Sequence, residues 1–191
     1  MDSTPDGRGP KRPNEESAKL VPIQGMGVST TGAAIPARFE RQLRGTAMRR
    51  RGNEANWVAV AKVHGLTGIR QTYGDVVAEE LLREVSGVLR SSLREADKLS
   101  PIGREEYGII LAAPGGEEAT AVLRRLVREV QAAAKHDSRW RAATLSAGLA
   151  PLWTQEPAEI IDSARRALAR AEQRGGGLVM MSTAAGARAP G

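Results

Sequence analysis

Two groups of charged residues have types and spacing that could do chemistry. In Arg94-Glu95-Ala96-Asp97 a guanidinium and a carboxylate stand three positions apart. Such a guanidinium can grip a phosphate or a base edge through paired bonds, while the carboxylate accepts from N–H donors. Each charge-assisted bond is worth roughly 1.5–3 kcal/mol. The plain alternative is an i,i+3 ion pair at a helix end. With 23 Arg and 6 Asp in the chain, about 0.7 R-x-x-D matches are expected by chance, so the motif needs a context. The second group is the run Gly103-Arg104-Glu105-Glu106-Tyr107, followed by Gly-Ile-Ile-Leu, which sets a guanidinium and two carboxylates at a tight turn. Other chemistry is thinly supplied. The absence of cysteine excludes disulfides, thiolate zinc sites and a thiol nucleophile. Two histidines, His64 and His136, leave little for a His-based metal or acid/base site.

These groups need elements to position them. A chain of 191 residues suits one domain plus tails, with enough residues for a hydrophobic core. Lys and Arg number 28 against 22 Asp and Glu, and the net charge of +6 points to anionic partners without naming one. Aromatics, at 3%, are too few for a base-stacking sheet surface. No apolar run is long enough to span a membrane, and the first residues lack the apolar stretch of a secretory signal. A cytoplasmic location is the expectation.

Residues 1–27 mix Pro, Gly, Ser and charge without periodicity and read as a disordered tail; 184–191 read as a flexible C-terminus. Between them, the patterns predict a helix over 36–51, a buried strand over 57–63, and a loop or short helical stretch punctuated by Gly65, Gly68 and Gly74. A helix follows on Val76, Val77, Leu81, Leu82, Val85, Val88 and Leu89. Next come a hairpin of strands over 98–102 and 107–112, a helix over 117–134, a strand over 142–149, a helix over 157–174 ended by three glycines, and a strand over 178–181. Strands alternating with helices around one hairpin predict a single α/β sandwich with a mixed central sheet. Trp57, Trp140 and Trp153 fall in or beside strands, as core residues do. Arg49-Arg50-Arg51 reads as the solvated end of a helix, where cations complement the dipole.

The run Gly103-Arg104-Glu105-Glu106-Tyr107 resembles the signature of the GGDEF family of diguanylate cyclase domains, with one glycine lost and Tyr for Phe. Thr72-Tyr73-Gly74-Asp75 through Leu82 resembles that family's T-Y-G-H-x-x-G-D-x-x-L run. Ser29-Thr30-Thr31-Gly32 with Arg38-Phe39 resembles an eroded opening segment. Thr144-Leu-Ser146-Ala-Gly148-Leu-Ala150 resembles the T-V-S-x-G-V-A strand, and Ala164 through Val179 resembles the closing helix and strand. The segments keep family order and spacing over 28–183, which implies a cyclase-type palm fold with a mixed sheet flanked by helices.

The resemblance also implies an active site, and here the sequence departs from it. The family's first metal-binding carboxylate corresponds to Lys62, while the second corresponds to Glu105, which is chemically acceptable. Two-metal phosphoryl transfer needs anions to hold the metal against the triphosphate. A cation at about 4 Å from another unit positive charge is repelled by ~4 kcal/mol near a protein surface, and more by a divalent ion. Arg104 replaces the second signature glycine, between Gly103 and the pair Glu105 and Glu106. The guanine-reading positions correspond to Arg70 and Glu79, and the phosphate-binding Lys to Glu172. The expectation is a degenerate active site with no metal, no cofactor and no diguanylate cyclase activity. His64 falls near the metal position with no carboxylate close in sequence, and reads as structural or exposed.

What the resemblance keeps is R-x-x-D, with five residues between Asp97 and Gly103. At that offset the family has its inhibitory site for cyclic di-GMP. Arginine can grip guanine O6 and N7, and Asp can accept from guanine N1 and N2. At one fixed offset the composition gives a chance match of only about 0.4%. A further Arg commonly comes from the helix after the hairpin, where Arg124, Arg125 and Arg128 lie, Arg125 nearest the family spacing. The expected function is a cyclic di-GMP receptor binding through Arg94, Asp97 and these arginines, signalling to a protein partner, with ligand-dependent dimerisation as a possible form. The alternatives are a nucleotide-independent interaction scaffold, an active or GTP-binding enzyme disfavoured by Lys62, Arg104 and Glu172, and nucleic-acid binding, for which no reading motif is present.

Overall fold

The computed structural model describes residues 35–48, 56–152 and 156–182. The expected tails at 1–27 and 184–191, the segment Ser29–Gly32, Arg49-Arg50-Arg51 and Trp153 lie outside them. The elements run α1 (Ala37–Met48), β1 (Asn56–His64), α2 (Leu66–Tyr73), α3 (Asp75–Ser92), β2 (Lys98–Pro101), β3 (Glu106–Ala112), α4 (Gly116–Ala134), a single 3-10 turn (Ser138–Trp140), β4 (Thr144–Pro151), α5 (Pro157–Gln173) and β5 (Val179–Met181). The stretch punctuated by glycines is a helix, α2, separated from α3 by Gly74, whose φ of 88° breaks the helical path.

The five strands lie in the order β2-β3-β1-β4-β5. β1 is central and antiparallel to both β3 and β4, and only β4 and β5 run parallel, joined by α5. The period-2 alternation of β1 explains the two-sided core. Val58 and Val60 point to one face, with Phe39 and Leu43 of α1 and Ile160, Ile161 and Leu168 of α5. Ala59, Ala61 and Val63 point to the other, with Leu81 and Leu89 of α3 and Leu123, Leu126 and Val130 of α4. Phe39 is fully buried, a contribution of about 1.5–3 kcal/mol. It lies over Gly108, where a Cβ would sit 2.4 Å from the ring.

One close approach sets the position of α5. A Cβ on Gly148 of β4 would lie 2.0 Å from the Ala164 carbonyl oxygen and 2.2 Å from the Leu168 nitrogen. Glycine there lets the helix backbone rest on the strand. The same alternation that buries Val58 and Val60 carries Lys62 and His64 to the α5 side, at the end of β1. This is how the sheet delivers the charged residues to one edge.

Candidate functional site

Two clefts hold the charged residues singled out above, and they differ in what the charges do.

At the C-terminal end of β1, Lys62 pairs in register with Glu106 of β3 and Ser146 of β4. Its Nζ donates to Glu172 Oε1 of α5 at 3.0 Å. That hydrogen bond, with the charges of Glu172, Glu106 and Glu105, raises the Lys62 pKa above its ordinary value against the opposing effect of burial. Arg165, two helical turns before Glu172, donates to Glu106 Oε2 at 3.1 Å. From α2, Arg70 Nη1 donates to Glu105 Oε1 at 2.6 Å, and its Nε lies 3.4 Å from Asp75 Oδ1. Arg104, exposed on the turn, lies 3.7 Å from Asp75 and 3.6 Å from Glu79.

Cation and anion therefore alternate across this edge, and each carboxylate that a metal could use is already neutralised by the protein. Among the described residues no group of three His, Asp or Glu side chains could hold a metal ion. The donor set does not suit a divalent cation, because Lys62, Arg70 and Arg165 stand against the carboxylates Glu172, Glu105 and Glu106.

His64 joins the same edge. Ser146, fully buried, lies with Oγ 2.9 Å from His64 Nε2, and that Oγ accepts from the Gly177 N–H at 2.9 Å. Since Ser146 Oγ–H has His64 within reach, a neutral imidazole accepting at Nε2 satisfies both groups. Burial holds the His64 pKa below its ordinary value, with Lys62 adding to the effect and Glu172 opposing it. The carboxylate that was not near His64 in sequence is Glu172, 3.9 Å from Nδ1. The residues that sequence reasoning left out of the site are thus Asp75, His64 and Ser146; Arg165, a charge that the resemblance sets inside the former active site, does stand there. Arg165 and Glu172 share a face of α5 seven residues apart, and Lys62 and His64 share a face of β1; those periodicities were the available signal. Tyr107, in place of the signature Phe, is buried, and its hydroxyl donates to the Leu82 carbonyl at 3.2 Å.

The second cleft, of about 470 Å³, lies between the turn after α3, the end of β3 and the exposed flank of α4. Arg94, Asp97, Arg125 and Arg128 surround it, over an apolar floor that includes Leu111, Ala113 and Val122. Asp97 does not pair with the Arg94 guanidinium. Its Oδ2 accepts from the Arg94 N–H at 3.0 Å and its Oδ1 from the Ala112 N–H at 3.1 Å. The carboxylate thus closes its own turn and ties it to β3. The Arg94 side chain is exposed, and no ion pair or hydrogen bond engages its guanidinium among the described residues.

Two lone-pair sites of Asp97 remain, so it can still accept from a ligand. Arg125 is fixed by donating Nη2 to the Ser92 carbonyl at 2.6 Å, at the open C-terminal end of α3, and by Glu129 at 3.7 Å. Arg124 does not face this cleft; it lines a separate groove with Arg128, Gln131 and residues 177–179.

The family described as "Diguanylate cyclase, GGDEF domain" matches residues 31–177. The chain is 29% identical over 162 residues to diguanylate cyclase DgcP of Pseudomonas aeruginosa, covering 84% of this chain and 23% of that protein. It is likewise 29% identical over 117 residues to diguanylate cyclase A of Treponema denticola, covering 60% of this chain and 32% of that protein. The chain thus spans about a third or less of the length of these curated relatives. Among solved structures, the GGDEF domain of DgcB from Caulobacter crescentus in complex with c-di-GMP superposes with a TM-score of 0.68 at 20% identity, covering 81% of this chain and 93% of that one. The likeness in structure is one of fold. Among the described residues, no helix is long and apolar enough to cross a membrane.

Proposed function

The chain belongs to the GGDEF, diguanylate cyclase, domain family, and from that premise we propose that it is a receptor for cyclic di-GMP that no longer makes it. The ligand is bound in the cleft of Arg94, Asp97, Arg125 and Arg128, and the bound state is passed to a protein partner.

The observation that carries this reading is the contrast in pairing. Where the family's catalytic groups fall, Lys62–Glu172, Arg70–Glu105 and Arg165–Glu106 pair with one another at 3.0, 2.6 and 3.1 Å. A nucleotide triphosphate with its metal would have to break these pairs to enter. In the other cleft the Arg94 guanidinium is presented to solvent above an apolar floor. Paired donors for guanine O6 and N7, a carboxylate acceptor and a flat apolar surface are what a guanine base needs. Cyclic di-GMP bound to a relative of the same fold supports the choice of ligand. No metal or cofactor takes part.

Equilibrium dialysis with labelled cyclic di-GMP tests binding, and incubation with GTP and Mg²⁺ followed by chromatography tests turnover. The reading requires retention of the dinucleotide and no product. Product formation would overturn the first part, and no retention the second. The second reading, a nucleotide-independent scaffold, is favoured by Asp97: its two backbone bonds give the R-x-x-D motif a structural use without any ligand. A partner captured equally well with and without cyclic di-GMP would support it.

A further inference from the structure

The groove that Arg124 lines has no part in the function proposed above. It measures about 270 Å³ and lies between α4 and the segment that leads into β5. Arg124 and Arg128 stand on one side, four residues apart and so one above the other on the helix. Both are exposed. Neither forms an ion pair or hydrogen bond among the described residues, although Arg125 between them does both. Two like charges at this spacing repel, and no acidic side chain lines the groove.

Gln131, one turn further on, completes the α4 side. The opposite wall is Gly177, Leu178 and Val179. Gly175, Gly176 and Gly177 have φ of 100, 73 and 68°, and the Gln131 amide nitrogen lies 3.3 Å from where a Cβ on Gly177 would be. The loop therefore comes up close to the Gln131 amide, in a backbone conformation that glycine alone adopts readily. Its shape is also fixed from beneath by Ser146, which accepts the Gly177 N–H.

We propose that this groove is a second anion site, which takes a phosphoryl group between the Arg124 and Arg128 guanidiniums with the Gln131 amide as a further donor. Two guanidiniums supply the charge and the forked donors that a phosphoryl oxygen set accepts. The group can be free phosphate or pyrophosphate, or the phosphate of a nucleotide; the apolar Leu178 and Val127 beside the arginines give room for a base in the second case. Arg128 also lines the cleft of Arg94. Occupants of the two sites therefore draw on one side chain, and each weakens the other by the same factor. This coupling, unlike the site itself, rests on the reading of the first cleft given above.

The test is titration of the full chain with inorganic pyrophosphate and, separately, with GMP and with guanosine, followed by amide NMR shifts. The expectation is a saturable response centred on Gln131 and Gly177–Val179, kept in Arg94→Ala and about tenfold or more weaker in Arg124→Ala. Arg124→Lys, which keeps the charge but not the forked donors, separates a general loss of charge from loss of the paired donors and is expected to fall between. GMP binding more tightly than pyrophosphate assigns the site to a nucleotide, the reverse to the free anion. Guanosine bound as tightly as GMP, or a pyrophosphate response unchanged in Arg124→Ala, overturns the proposal. If Arg94→Ala abolishes cyclic di-GMP binding while Arg124→Ala leaves pyrophosphate untouched, the first reading stands and this one falls.

Discussion

The two clefts of this domain carry similar residue types and put them to opposite uses. At the end of β1 every described cation faces an acid: Lys62 with Glu172, Arg70 with Glu105, Arg165 with Glu106. Beside α4, Arg94 faces solvent, and Asp97 spends its oxygens on backbone N–H groups instead of on that guanidinium. Charge alone does not make a site. A site needs charge left unmatched by the protein, since an ion pair already formed must be broken before a ligand can use either partner. The net charge of +6 is therefore a poor guide to what is bound, and the distribution of unpaired cations a better one.

Four changes break or sharpen this contrast. The largest effect is expected from Gly148→Ala. Its methyl would overlap the α5 backbone, so the helix carrying Arg165 and Glu172 must move, at a cost of about 3 kcal/mol or more. Thermal melts should show the loss, while the Arg94 cleft, built from α3, β3 and α4, keeps whatever affinity it has at temperatures where the variant is folded.

Next comes Lys62→Asp, which puts an acid where the family resemblance implies a metal ligand. It sets a carboxylate among Glu106, Glu172 and Glu105, and because the Lys62–Glu172 pair is about one-third exposed, the expected loss is only about 1–2 kcal/mol in denaturant unfolding. On the proposed function no cyclase activity should appear, because Arg70 and Arg165 still pair with Glu105 and Glu106. Product from GTP and Mg²⁺ in this single variant would show that Lys62 alone had silenced the site.

Asp97→Ala comes third, at about 1 kcal/mol, since the Arg94 and Ala112 N–H groups it frees lie where water can reach them. Asp97→Asn, which keeps one acceptor oxygen, should lose less.

The smallest effect is on pH dependence. Burial holds the His64 pKa below its ordinary value of 6.5. The unfolded chain therefore binds this proton more readily, so stability is full above about pH 6.5 and declines as pH falls from there through the lower folded value. Lys62, Glu172 and Glu105 face the imidazole, with Ser146 against Nε2. His64→Gln should flatten the fall in Tm between neutral and mildly acid pH; an unchanged slope would mean other groups set it.

Much of the fold is legible in the sequence because β1, α3, α4 and α5 each carry a clear period in their apolar residues. Strand and helix ends depart from expectation by one or two residues, except that the helix over 36–51 is described only to Met48. The glycine-punctuated stretch, legible only as a loop or a short helix, is the helix α2; Leu66 and Ile69, three apart and both buried, carry its helical signal. The R-x-x-D cleft is legible in part. Motif spacing selects Arg94, Asp97 and the α4 arginines, yet it cannot say that Arg124 turns to another groove, since helix rotation decides which of three arginines faces which side. The pairing of the first cleft is the least legible. Lys62 and Glu172 are 110 residues apart, and only the β1-β4-α5 packing makes them neighbours. The same packing explains why His64 has a carboxylate beside it although none is near in sequence.

The central claim is that the cleft holding the unpaired Arg94 guanidinium binds cyclic di-GMP through that residue. Calorimetric titration of the full chain and of Arg94→Ala with cyclic di-GMP tests it most directly. The account predicts a saturable heat for the full chain and, in Arg94→Ala, affinity lower by a factor of about 10 to 100, from the roughly 1.5–3 kcal/mol of a charge-assisted bond, with Tm unchanged. Equal heats in the two proteins, or none in either, would contradict it.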